Sequence, residues 1–352
     1  PDFAAPDKVL DAMKASLDAK ETSYTGNSGM MELREAISQH FEKRYGVHYD
    51  PKDEILVTVG VSEGLAMALL DITEPGDEVI IPDPAYVAYP ASVELAGGTP
   101  VFVPTYPEHD FKLTVEALEK VITPKTKAIV IGYPNNPTGT VMSAEELMPI
   151  AKFAEEHDLI VLSDEIYCEL MYGDAKFTSF AKLPGMRERT VIFNGFSKAY
   201  AMTGMRLGYV CAPREGLAPI LKLHQYAIMC ANTTAQVGGI TALKECDDDV
   251  EAMRQEYDRR RKVIYKGLCD MGLPVFEPKG AFYIFPDIRC TGMTSAEFCE
   301  KLVQEEKVAV VPGTAFGAQG EGFVRISYAA SMDTIQEALK RMARFVEKYR
   351  SC

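Results

Sequence analysis

KAIVIGYPNNPTGTVMSAEELMPIAKFAEEHDLIVLSDEIY, residues 127–167, carries two β-branched runs with a helical pattern between them. Lys127–Tyr133 (KAIVIGY) and Leu159–Ser163 (LIVLS) are near-continuously apolar. Neither alternates as a half-exposed strand would, so both read as strands buried on two faces. Between them, Ser143-Ala-Glu-Glu146 is a capping box that opens SAEELMPIAKFAEEH, whose apolar residues recur at helical spacing.

The same alternation extends outward. Glu54–Val59, Glu78–Pro82, Pro100–Pro104, Thr190–Asn194 and Arg206–Cys211 read as further strands, with helical patterns between them. Strands and helices alternating at this density predict an α/β domain with a mostly parallel central sheet flanked by helices. Beyond it the pattern changes. Residues 247–270 predict one long charged helix, and Leu273–Ile288 (LPVFEPKGAFYIFPDI) a turn-linked antiparallel pair. Thr294-Ser-Ala-Glu297 caps another helix, VAVVPG and FVRISYA read as strands, and Met332–Tyr349 as a last helix. That composition predicts a second, smaller α+β domain. The reading places residues 20–250 in the large domain, and 1–19 with 251–352 in the small one.

The chain has 352 residues, which fits two domains. Its net charge of −14 argues against nucleic acid or an anionic membrane as a partner of the overall field. No run reaches the roughly 18 apolar residues of a membrane span. Eight dispersed cysteines, with no C-x-x-C, read as reduced thiols in a cytoplasmic protein. Five histidines in no metal-ligand spacing give no metal site. The opening Pro1-Asp2-Phe3 has no Met and no leader-like run, so the N-terminal part of the small domain is read as incomplete.

Open α/β sheets bind ligands just past the carboxyl ends of their strands. Gly60-Val61-Ser62 there is a turn into a helix, a place where backbone N–H groups and a hydroxyl can hold phosphate. Taken alone it reads more readily as an ordinary glycine turn. Tyr133-Pro-Asn-Asn-Pro-Thr-Gly139 follows the fourth strand, and Ser163-Asp164-Glu165-Ile166-Tyr167 the fifth. Asn194-Gly-Phe-Ser-Lys198 follows the sixth, with Arg206 close behind. A lysine amine that is partly desolvated and near another cation loses its proton more easily and becomes a nucleophile. No dinucleotide or nucleoside-triphosphate glycine motif is present. An anion turn, an amide, a carboxylate, a lysine and an arginine together fit a phosphorylated cofactor with an aldehyde and a ring nitrogen, pyridoxal 5'-phosphate.

These residues lie in eight ordered motifs: 23–37, 58–69, 82–90, 133–139, 163–167, 196–209, 278–288 and 323–329. Through them the whole chain resembles the class I/II aminotransferases, the aspartate-aminotransferase-like, fold type I pyridoxal-phosphate enzymes. The resemblance implies an aminotransferase that exchanges an amino group between an L-amino acid and a 2-oxo acid by a ping-pong mechanism. It implies that Lys198 forms the Schiff base with the cofactor and shuttles the substrate Cα proton, while Asp164 pairs with the pyridine nitrogen. Tyr167 and Asn136 would hydrogen-bond the phenolic oxygen, and Tyr86 would stack on the ring. Gly60, Val61, Ser62, Ser197 and Arg206 would hold the phosphate, and Tyr24 would reach it from the other subunit of a homodimer. Arg325, with Asn136, would bind the substrate carboxylate. Phe316 would line the entrance or simply pack.

Two departures matter. Gly195 stands where many relatives have a serine, which removes one phosphate hydroxyl. Ser62 stands where some aspartate-specific relatives have a lysine, so acidic, aromatic and aliphatic donors all stay open. A C–S lyase on the same cofactor, and the aminotransferase-like domain of a transcription regulator, are the alternative readings.

Overall fold

The computed structural model describes residues 2–350; Pro1, Ser351 and Cys352, with the thiol reading of Cys352, lie outside the described residues. Seven strands form one sheet: β1 (Ile55–Thr58), β2 (Glu78–Asp83), β3 (Thr99–Pro104), β4 (Thr126–Ile131), β5 (Ile160–Asp164), β6 (Thr190–Gly195) and β7 (Gly208–Cys211). Their order is β1-β7-β6-β5-β4-β2-β3. All pairings are parallel except the two made by β7. The apolar runs explain this burial. Along β4, Ala128 and Val130 enter one core and Ile129 and Ile131 the other, so both faces are covered.

The helices are α1 (Asp7–Asp18), α2 (Met31–Tyr45), α3 (Gly60–Ile72), α4 (Ala88–Leu95), α5 (Val115–Leu118), α6 (Ala144–Glu156), α7 (Arg214–Ala227), α8 (Thr233–Glu245), α9 (Asp247–Asp270), α10 (Ser295–Glu306) and α11 (Met332–Tyr349). The capping boxes read from sequence open α6 and α10, with both reciprocal hydrogen bonds made. No described helix is long and apolar enough to cross a membrane.

A second, three-stranded antiparallel sheet runs β8-β10-β9, where β8 is Tyr283–Ile284, β9 Val311–Pro312 and β10 Val324–Ser327. It shares a core with α9, α10 and α11 through Tyr257, Ile264, Phe298, Leu302, Phe345 and Val346. Residues 2–19 divide between the two cores. Phe3 packs edge-on to Tyr257 at 5.2 Å, whereas Val9 on α1 shares a core with Leu33, Ile37 and Ala235 of the large sheet's layer. The apolar face of α1 approaches α8 closely because Gly238 has no side chain; a Cβ there would lie 2.9 Å from Met13.

The turn-linked antiparallel pair expected within 273–288 does not form. Only Tyr283–Ile284 is a strand, and it pairs with β10. Pro274 and Pro278 have no N–H to give a ladder. The neighbouring backbone bonds elsewhere instead: Lys279 and Gly280 donate to the Gly139 carbonyl at 3.2 and 3.1 Å, and Ala281 donates to Leu170 at 3.0 Å. Likewise VAVVPG contributes only Val311–Pro312. Phe316 is buried in an aromatic cluster with Phe111, Phe285 and Phe323, and its main-chain carbonyl accepts from Ala85.

Candidate active site

The carboxyl ends of the parallel strands meet the amino end of β7 on one edge of the sheet, because Gly208 pairs with both Thr58 of β1 and Gly195 of β6. There the two units enclose a cavity of about 250 Å³. It is lined by Val61, Ser62, Tyr86, Asn136, Asp164, Tyr167, Ser197, Lys198, Arg206 and Arg325, ten of the twelve residues expected from the sequence. Gly60 lies directly behind Arg206. Tyr24 does not line the cavity of its own chain and is 80% exposed.

Lys198 follows β6 in a buried turn. Burial drives its ammonium pKa down, the guanidiniums of Arg206 and Arg325 push in the same direction, and Asp164 opposes them. Its Nζ stands 5.6 Å from the Tyr167 ring centre and 5.8 Å from that of Phe282. Asp164 closes β5 and is buried. Its Oδ2 accepts from the Tyr89 hydroxyl at 2.8 Å and its Oδ1 from the Ile166 N–H at 3.2 Å. Burial raises its pKa against those two hydrogen bonds and the pull of Lys198. A cation brought to this carboxylate would relieve that cost.

The anion end rests on close backbone approach. Gly60 begins α3 with φ +74°, and a Cβ on it would lie 2.5 Å from the Arg206 Nη2. Glycine therefore admits both the left-handed turn and the arginine. Arg206 itself has φ +51°, and its Nη1 donates to the Thr203 carbonyl at 3.0 Å. The first-turn N–H groups of α3 have no intrahelical acceptor, so they are free for an anion beside Arg206, Ser62 and Ser197. The structure also explains Gly195. A Cβ there would come within 2.8 Å of the Gly208 Cα across the β6–β7 pair, so a serine has no room without a backbone shift.

Arg325 enters from β10. Its Nη1 donates to Asn136 Oδ1 at 3.0 Å, and its guanidinium lies between the rings of Tyr283 (4.6 Å) and Phe316 (4.7 Å). Its Nε is buried and has no partner. A stacked guanidinium with an unused donor is suited to a carboxylate.

Sequence reading missed Tyr89 and Tyr283. Tyr89 sits three residues after Tyr86 on the same turn, and its reach to Asp164 depends on Gly132, where a Cβ would meet the hydroxyl at 2.7 Å. Tyr283 donates to or accepts from the Tyr167 hydroxyl at 3.0 Å. Its only signal was a tyrosine in the middle of GAFYIF, a pattern that reads equally as core.

Glu165 faces away from the cavity. Its Oε1 accepts from Ser163, Ser179 and the Phe180 N–H at 2.9–3.0 Å, while Oε2 is buried without a partner. Burial outweighs these donors and pushes its pKa from 4.5 up to about 7. The folded state thus holds a proton that the unfolded chain releases, so stability is lost as pH rises from about 4.5 to about 7. Glu165→Gln should remove that loss, on the order of 3 kcal/mol. Denaturant unfolding at pH 4 and pH 8 checks it; a variant-to-wild-type difference that does not change between them contradicts the neutral Glu165.

Comparison with known proteins gives the family and the fold. The family model described as "Aminotransferase class I and II" matches residues 1–342. The chain is 49% identical to the aspartate aminotransferase of Pyrococcus abyssi, over 99% of this chain and 90% of that one. It is 47% identical to aromatic-amino-acid aminotransferase 2 of Thermococcus litoralis, with the same coverage. The crystal structure of an aromatic aminotransferase from Pyrococcus horikoshii OT3 superposes with a TM-score of 0.97 at 48% identity, covering 99% of this chain and 93% of that one.

Proposed function

The chain belongs to the class I and II aminotransferases, and from that membership we propose that the cavity around Lys198 binds pyridoxal 5'-phosphate and receives α-amino acids at Arg325. As an aminotransferase the protein moves an amino group from an L-amino acid to a 2-oxo acid in two half-reactions. The observation that carries the site assignment is a desolvated lysine amine sharing one cavity with a buried carboxylate and an arginine whose Nε is unpaired.

The donor set fits the cofactor. Val61 and Ser62 at the start of α3, with Ser197 and Arg206, would hold the phosphate; Asp164 would hold the proton on the ring nitrogen. Tyr86, which lines the cavity and is set edge-on to Tyr89 at 5.6 Å, would pack against the ring. Tyr167 and the Asn136 amide, whose Oδ1 is already taken by Arg325, donate to the phenolic oxygen. When bound, the cofactor supplies an aldehyde for the amino group and a ring that accepts the electron pair left at Cα.

Lys198 does the proton work. Burial lowers the pKa of its Nζ, which favours the free amine that would hold the cofactor and take the proton from the substrate Cα. Arg325 fixes the substrate carboxylate, and so fixes which Cα bond faces Nζ. The Tyr283 and Phe316 rings prevent the guanidinium from turning away.

Tyr24 belongs to a partner's site in this reading. Support comes from its exposure beside an apolar surface of Tyr226, Ile228 and Met229, which Asn27 ties to the Tyr24 segment by a 2.8 Å hydrogen bond to the Met229 carbonyl. A homodimer would bury that surface.

The relatives' names divide between acidic and aromatic donors. Lys198, Arg206 and Arg325 are the only Lys or Arg residues among the described residues lining the cavity, and each has a role already. A panel of aspartate, glutamate, tyrosine and phenylalanine with matching 2-oxo acids tests the assignment. The expected result is paired formation of a new amino acid and a new oxo acid. Release of pyruvate and ammonia without any acceptor contradicts it.

A further inference from the structure

We propose that Tyr283 is a positioning residue that couples carboxylate binding at Arg325 to the hydrogen bond Tyr167 offers the cofactor. The inference rests on the cofactor reading above and goes beyond it in assigning a role to a residue outside the expected site.

Tyr283 touches both ends of that path. Its ring lies 4.6 Å from the Arg325 guanidinium, and its hydroxyl lies 3.0 Å from that of Tyr167. It starts β8, paired through Ser327 with β10, the strand that carries Arg325. Tyr167 instead follows β5 of the large sheet. One side chain therefore bridges the unit that grips the substrate and the unit that grips the cofactor.

Its place is fixed from behind. A Cβ on Gly139, which has φ +76°, would stand 2.7 Å from the Tyr283 carbonyl oxygen and 2.5 Å from Pro278 Cβ. The NNPTG turn that carries Asn136 is thus pressed onto the Tyr283 backbone, and Asn136 in turn accepts from Arg325 at 3.0 Å. Tyr283, Asn136 and Arg325 form a closed arrangement that a shift of any one disturbs.

The direction of the coupling follows from donor counting. Tyr167 has one hydroxyl proton. When it is given to the phenolic oxygen, Tyr283 is left to donate to the Tyr167 oxygen, and that donation polarises Tyr167 into a stronger donor. A stronger donor stabilises negative charge on the phenolic oxygen and lowers the pH at which the Lys198-bound cofactor loses its proton. The charged and titratable groups facing this pair are Arg325 and Tyr86 beside Tyr283, and Asp164, Arg325 and Lys198 beside Tyr167. A carboxylate on Arg325 neutralises the cation over the Tyr283 ring and so alters Tyr283 as a donor.

The test is the pH titration of the visible cofactor absorbance in the holoenzyme. Tyr283→Phe keeps the ring under Arg325 and removes only the hydroxyl. Its midpoint is expected to rise by about half a unit to one unit. In a Tyr167→Phe background the same change is expected to shift the midpoint by less than about a quarter of that, since Tyr283 acts through Tyr167. Saturating 3-phenylpropanoate, a carboxylate without an amino group, should move the wild-type midpoint and move that of Tyr283→Phe by less than half as much. An unchanged midpoint in Tyr283→Phe, or an equal shift in the Tyr167→Phe background, overturns the proposal. If the wild type takes up no cofactor with visible absorbance, the cofactor reading itself fails and this inference falls with it.

Discussion

In Lys198→Ala, amino-group exchange is expected to fall by at least about 10³-fold, because two functions of one atom are lost together. In the proposed mechanism the Nζ is both the nucleophile that would hold the cofactor and the base that would take the Cα proton. Among the described residues no other lysine lines the cavity; its remaining cationic side chains are the guanidiniums of Arg206 and Arg325. The cavity itself should survive, since Asp164 keeps its bonds to Tyr89 and Ile166 and the Gly60–Arg206 contact does not involve Lys198. The variant is therefore expected to fold and bind cofactor reversibly while losing turnover. Initial rates with the best donor–acceptor pair, alongside cofactor retention on dialysis, check both parts. Turnover within tenfold of wild type would remove Lys198 from the mechanism.

Arg325→Ala is expected to raise KM for every α-amino acid tested, by about 30-fold to 10³-fold, the range for deleting one partner of a buried charged pair. Alanine removes the carboxylate fork, leaves Asn136 Oδ1 without its donor and opens a gap between Tyr283 and Phe316. Because the α-carboxylate is common to all donors, aromatic and acidic substrates should suffer alike. Arg325→Lys should recover only part of the loss, since an ammonium has no planar fork and stacks poorly between two rings. Steady-state KM for tyrosine and aspartate decides the matter. A selective loss for one class would make Arg325 a side-chain reader, and an unchanged KM would make it structural.

The fold was legible where periodicity was strong. The buried runs flanking SAEELMPIAKFAEEH became β4 and β5, and the charged run 247–270 became α9 over the expected span. The reading of 273–288 went wrong because hydrophobicity was weighed above proline. Lys279, Gly280 and Ala281 satisfy their backbone N–H groups on Gly139 and Leu170, more than 100 positions earlier, and short-range pattern contains nothing of such a partnership. The resting place of α1 is set at a distance as well: Val9 shares a core with Ala235 of α8, and the close approach there uses Gly238, far along the chain.

Site residues were legible in proportion to how locally their role is set. Lys198, Asp164 and Asn136 stand at or after strand ends and Arg206 just before β7, on the edge where open sheets place their ligand cavities, and all four line the cavity. Tyr89 and Tyr283 act by reaching across the structure to Asp164 and Tyr167, and a tyrosine in an apolar run gives no sign of its hydroxyl's destination. Net charge was informative only about the surface. Within a chain of charge −14, the cavity gathers Lys198, Arg206 and Arg325 against one buried carboxylate, Asp164.

The most direct measurement is the absorbance of the purified holoenzyme during one half-reaction. Adding a donor amino acid alone should bleach the visible band in a single turnover, with one equivalent of 2-oxo acid released per site. Adding a different 2-oxo acid should then restore the band if, as proposed, the two half-reactions share the cavity around Lys198. A band that the donor leaves unchanged, or one that bleaches but does not return with any oxo acid, would contradict amino-group exchange at Lys198.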